Sequence, residues 1–154
     1  MPTTHAYAIT TTWTGNRGTG TSSYRAYGRD HELAAEGRPT LPASADPTFR
    51  GDPTRWNPEL LLVAALSDCH LLSYLHLCAT HGVVVTDYVD AATGTMEQVG
   101  GGGRFTEVVL RPVVTVADAT MIEAADALHH DAHANCFIAA SVSFPVRTEP
   151  TART

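Results

Sequence analysis

Three cysteines, Cys69, Cys78 and Cys136, are the only thiols in this 154-residue chain, and their neighbours differ. Cys69 sits between Asp68 and His70 inside an otherwise apolar run, LLLVAALSDCHLLSYLHLC. Polar groups gathered where packing alone would choose apolar ones mark a place for chemistry. Cys136 follows His129-His130-Asp131-Ala132-His133-Ala134-Asn135 and precedes Phe137-Ile138, at a turn where backbone N–H groups are close. Free cysteine is among the most buried residue types, so on its own helix Cys69 is more often an inert buried thiol than a reactive one. Two cysteines 136 − 69 = 67 residues apart, each in polar company, suggest a dithiol pair more than either does alone. Cys78 is the contrast: nine residues past Cys69 it falls about 180° around a helix, with Leu77 and Ala79 beside it, and reads as a packing residue.

A second chemistry competes. His130, His133 and Cys136 are spaced three and three, and imidazole with thiolate suits Zn or Fe. No further Cys or His stands at ligand spacing from Cys69, and histidines near an exposed helix end are ordinarily solvated.

The elements that must carry these residues follow from the pattern. Asn57-Pro58-Glu59 is a helix start: Asn accepts from a free backbone N–H, Pro at the first position gives up only a spare donor, and Glu complements the dipole. Gly82 ends that helix, which is apolar on nearly every side, as a helix surrounded by other elements should be. Residues 6–14 and 19–28 read as an opening hairpin around Gly15-Asn16-Arg17-Gly18, and His31 to Glu36 as a third strand. The stretch 37–56, with four prolines, reads as an ordered loop. Val83 to Glu97 and Arg104 to Val116 are Val- and Thr-rich strand stretches joined by Gly100 to Gly103; no Lys-Ser or Lys-Thr follows the glycines, which excludes a phosphate loop. Asp118 to about His130 has helical spacing, and Ser141 to Arg147 alternates as a last strand. The order β-β-β-α-β-β-α-β predicts an α+β fold with mostly antiparallel pairing.

Composition limits the partners. One domain over residues 1–154 is expected from the length. Ten Lys and Arg against sixteen Asp and Glu give a formal charge of −6, which removes the bulk attraction for nucleic acid. The start, MPTTHAYAITTTW, has neither a basic nor an apolar region of an export signal, and the apolar run Leu60 to Leu66 is too short to cross a bilayer. The expectation is a cytoplasmic protein with no membrane partner. An odd number of cysteines in such a reducing compartment disfavours a static disulfide scaffold.

Asn57-Pro58-Glu59-Leu60-Leu61 leading to Cys69-His70, then HLCATHGV, GRFTEVVLRP and AHANCFIAASVSFPV, resemble the osmotically inducible protein C (OsmC)-like and organic hydroperoxide resistance proteins. The resemblance runs from about Arg17 to Val146. It implies an intertwined α+β homodimer, two mainly antiparallel sheets around central helices, that reduces peroxides with two cysteines and no metal or organic cofactor. Carried over, Cys69 is the peroxidatic and Cys136 the resolving cysteine. Glu59 aligns with the family's Glu, and Arg17 with its Arg, although Arg25 or Arg29 lies close enough to substitute. The implied substrate is an organic hydroperoxide or, since His76 through Phe105 is more similar to the broad OsmC-like branch, hydrogen peroxide. The implied reductant is an external dithiol, within the family often a protein-bound lipoyl group. On one helix Glu59 and Cys69 would stand about 15 Å and about 280° apart, so a participating Glu59 must come from a second copy. The alternative function is a non-enzymatic metal- or small-ligand-binding stress protein using the His129 to Cys136 cluster.

Overall fold

The computed structural model describes every residue from Met1 to Thr154, in two compact units, Met1–Leu61 and Leu62–Thr154.

In the first unit β1 (Thr10–Trp13), β2 (His31–Ala34) and β3 (Leu41–Ala43) form an antiparallel sheet in that order, with Thr10 opposite Ala34 and His31 opposite Ala43. Residues 19–28, expected as the second strand, are instead a run of turns. The cause is local. Asn16 Oδ1 accepts from the N–H groups of Gly18 and Gly20, bending the chain at once, and Trp13 Nε1 donates to Gly28 O at 2.9 Å. Gly28 N in turn donates to Gly15 O at 2.7 Å, and a Cβ on Gly15 would stand 2.0 Å from Gly28 O, so this crossing excludes any side chain. The proline-rich stretch is ordered by polar bonds: Ser44 Oγ donates to Asp30 Oδ1 and accepts from Asp52 N, and Asp46 caps a single turn at Pro47–Phe49.

Helix α1 (Pro58–Thr80) starts as the sequence predicts, with Asn57 Oδ1 accepting from Leu60 N at 2.8 Å, and Gly82 leaves it at φ +74°. Its buried residues, Leu66, His70, Tyr74 and Cys78, recur every four and form one stripe. Leu60, Leu72 and Leu75 are exposed. By length and composition α1 could cross a bilayer, which the short run Leu60 to Leu66 does not reveal.

The second unit holds β4 (Val85–Asp90), β5 (Thr93–Val99), β6 (Gly102–Leu110), β7 (Pro112–Val116), α2 (Ile122–Ala134), β8 (Val146–Thr148) and β9 (Thr151–Arg153). Its sheets run β4-β7-β9 and β5-β6-β8. The α+β class is as expected, but the strands fall into three small sheets rather than two, and both sheets of this unit end in a parallel strand. The chain passes directly from a strand of one of these sheets to a strand of the other at three places, the first at Ala91-Ala92 between β4 and β5. At Arg111 the N–H leaves the ladder for Asp90 Oδ1, separating β6 from β7. At Glu149-Pro150 the missing proline N–H interrupts the last strand, so Val146 pairs opposite Val108 and Thr151 opposite Val113. One apolar cluster joins Tyr74, Cys78, Val114, Val116, Ala125, Leu128 and Ala132; a second joins Leu66, Val108 and Leu110.

Candidate functional site

Cys69 lies in the middle of α1, half-buried, with Asp68 exposed on one side and His70 buried on the other. Cys136 is placed by the end of α2. Asn135 closes that helix, its N–H and side-chain amide both donating to Asp131 O, and Cys136 N donates to His133 O. The chain then enters a single tight turn, Ala139–Ser141, from which Ala139 N points at Cys136 Sγ, 3.4 Å away. This is the backbone donor that a cysteine at a helix exit was expected to meet.

The structure brings Cys69 and Cys136 together across 67 residues of sequence (136 − 69), near enough for Cys69 to influence the Cys136 thiol. Cys136 is 2% exposed, and its thiol is pushed well above the usual thiol range, first by burial and then by Cys69. The backbone donors Ala139 and Ile138 pull it back without winning. Cys136 is thereby held as a neutral thiol. Cys78 is buried against Tyr74, and burial pushes its thiol up as well; it is a packing residue, as the sequence indicated.

The remaining site residues lie in the first unit. Glu59 stands in the first turn of α1, with Oε2 buried and unpartnered. Arg17 is exposed, its guanidinium over Gly28. Arg25 is exposed too. Arg29 is occupied: it donates to the carbonyls of Tyr24 and Tyr27 and lies over both their rings, 4.4 and 4.0 Å from the centroids.

A buried histidine pair was not expected from the sequence. His70 and His129, 1% and 3% exposed, meet at 2.9 Å, Nε2 to Nδ1, with their rings nearly parallel. Tyr74 stacks on His129 at 3.9 Å and donates to Ala125 O. Burial pulls both imidazoles down to about 4, partly opposed for His70 by Asp90. Both are therefore neutral at pH 7, sharing one N–H between them, while His70 Nδ1 and His129 Nε2 have no protein partner. His129 also lines a shallow cleft with His130 and His133. The overlooked signal is spacing: His70 is in step with Leu66, Tyr74 and Cys78 on α1, and His129 with Ala125 and Ala132 on α2. As for the competing metal reading, no three His, Cys, Asp or Glu side chains converge where one ion could be held.

The sequence matches the family of OsmC-like proteins over residues 51–151. Among solved structures it is similar to an OsmC-like protein of unknown function from Vibrio cholerae, with 32% identity, 96% of this chain and 99% of that one covered, and a TM-score of 0.85. An organic hydroperoxide resistance protein from Elizabethkingia anophelis has the same fold, at 18% identity over 100% and 99% of the chains and a TM-score of 0.71. So does an organic hydroperoxide resistance protein, also described as a predicted redox protein, from Legionella pneumophila, at 16% identity over 99% and 100%, TM-score 0.70. No match was found among curated proteins.

Proposed function

Because the chain belongs to the family of OsmC-like proteins, we propose that it is a two-cysteine thiol peroxidase acting on organic hydroperoxides, with hydrogen peroxide as the alternative substrate. The observation that carries this reading is the meeting of the half-buried Cys69 thiol with a Cys136 thiol held protonated. A thiolate on Cys69 attacks the terminal peroxide oxygen; an S–O bond forms, the O–O bond breaks, and the alkoxide takes a proton to leave as alcohol. Cys136, losing its proton, then attacks the Cys69 sulfenic acid; the S–S bond forms and the oxygen leaves as water. An external dithiol, in our reading a lipoyl group carried on a protein, returns two electrons and two protons. The steps use no metal or organic cofactor, and a reducing cytoplasm would maintain the dithiol.

Arg17 is the guanidinium we assign to thiolate and leaving-oxygen stabilisation, with Glu59 orienting it; the unpartnered Glu59 Oε2 is the acceptor such an Arg would satisfy. The exposed leucines of α1, Leu60, Leu72 and Leu75, support a homodimer in which a second copy covers this helix and its Glu59 serves the other chain's Cys69.

Peroxide consumption with a dihydrolipoyl reductant tests the reading. Cys69→Ser is expected to abolish turnover, and Cys136→Ser to consume about one equivalent and stall as sulfenic acid, because attack precedes resolution. Wild-type turnover in Cys69→Ser would end the proposal. Mixed dimers of Cys69→Ser and Glu59→Ala chains test the shared site: one intact site returns part of the activity if the residues act in trans, and none if they act in cis.

A further inference from the structure

We infer that the His70–His129 pair is a positioning element for the two thiols, an inference that rests on Cys69 and Cys136 working as one redox pair. His70 directly follows Cys69 on α1, and His129 lies on α2 seven residues before Cys136 (136 − 129), which sits just past that helix's end. The apolar side chains joining these helices, Tyr74, Cys78, Ala125, Leu128 and Ala132, pull them together without direction, so they tolerate sliding and rotation. Direction comes from two bonds, His70 Nε2 with His129 Nδ1 and Tyr74 Oη to Ala125 O, both at 2.9 Å. A slip of α1 along α2 breaks the first bond and carries Cys69 away from Cys136, and disulfide closure accepts only a narrow range of sulfur placements.

An apolar pair would fill the same space without stranding polar atoms. Instead the chain keeps His70 Nδ1 and His129 Nε2 buried with no protein partner, an arrangement that stability alone does not favour. Tyr74, stacked 3.9 Å from His129, holds that ring in the one orientation that meets His70. The pair acts through the thiols' placement and touches no reacting atom.

The test is the equilibrium between the protein and the reduced and oxidised forms of dithiothreitol at pH 7. The protein's two thiols give two electrons and two protons to the cyclic disulfide, which opens to the dithiol as the Cys69–Cys136 bond forms; the equilibrium constant gives the effective concentration of one thiol towards the other. In a His70→Leu/His129→Leu chain the melting temperature should hold or rise while the effective concentration falls about tenfold or more, since small misplacements cost large factors in proximity. A His70→Gln/His129→Asn chain, whose amides stand near the original Nε2 and Nδ1, should recover to within about threefold of wild type. Wild-type effective concentration in the leucine pair overturns the inference, and so does an amide pair that falls as far as the leucine pair. Should the leucine pair fail to fold, His129→Leu alone must show the loss, and a wild-type value there is equally fatal. No peroxide enters this measurement, so absent peroxide turnover would sink the proposed function and leave this result standing.

Discussion

Acid should loosen this protein through His70 and His129 before its carboxylates titrate. Both imidazoles drop from an ordinary 6.5 to about 4 in the folded chain, chiefly because burial penalises the cation. His133 on α2 adds to the depression of His70, Asp90 on β4 opposes it, and Tyr74, Tyr88 and Cys78, whose burial raises them, stay neutral throughout. The sign follows from the depression: between pH 6.5 and 4 the unfolded chain binds protons that the folded chain refuses. The stabilisation is therefore complete above about pH 6.5 and lost as pH falls towards 4. One independent imidazole moved by 6.5 − 4 ≈ 2.5 units is worth about 3 kcal/mol, and between pH 6.5 and 5, before carboxylates titrate, about 2 kcal/mol. The two rings share a bond and repel once charged, so their joint effect is less than twice this. Against a total stability of about 5–15 kcal/mol, the loss is large. Urea unfolding at pH 6.5, 6.0, 5.5 and 5.0 reads it directly; with a slope of about 2 kcal/mol/M, the midpoint should fall by about 1 M across that range. A His70→Gln/His129→Asn chain keeps the bond without the titration, and its midpoint should stay nearly level. Equal losses in the two proteins would refute the reasoning.

Leu66→Ala, at a fully buried position packed on Val108 and Leu110, should cost about 3 kcal/mol in urea unfolding; a loss below 1 would mean the site collapses around the missing atoms. Gly51→Ala would drive a Cβ to 1.6 Å from Ala45 O, so the loop must open; a drop of about 2 kcal/mol is expected, and an unchanged melting temperature would contradict the close approach. Cys78→Ala should lose about 1 kcal/mol of stability and keep wild-type peroxide turnover; loss of turnover as complete as in Cys69→Ser would mean that the reactive pair is misassigned.

Local signals were enough for whatever depends on near neighbours along the chain. Asn57-Pro58-Glu59 specified the start of α1 because an N-cap acts over three residues, and the bond from Leu60 N to Asn57 Oδ1 is that same interaction seen in space. Gly82, Asp118 and the glycine run after β5 marked their boundaries for like reasons, and apolar neighbours alone identified Cys78 as a packing residue. Residues 19–28 show the limit: their types favour a strand, but Asn16 and the Gly15–Gly28 crossing impose turns that the alternation of side chains does not encode.

The sequence could suggest that Cys69 and Cys136 belong together but could not make them meet, because closing 67 residues (136 − 69) of chain depends on the packing of α1 with α2 and of β8 on β6. The parallel docking of β8 and β9 was likewise illegible, since three-residue strands carry too few side chains to choose a partner. His70 is the sharpest case. Its neighbours Asp68 and Cys69 made it look like part of a polar patch, yet on a helix the residue next in sequence points about 100° away. Which of those directions faced another helix, and that a second histidine waited there 59 residues on, only the tertiary structure could decide.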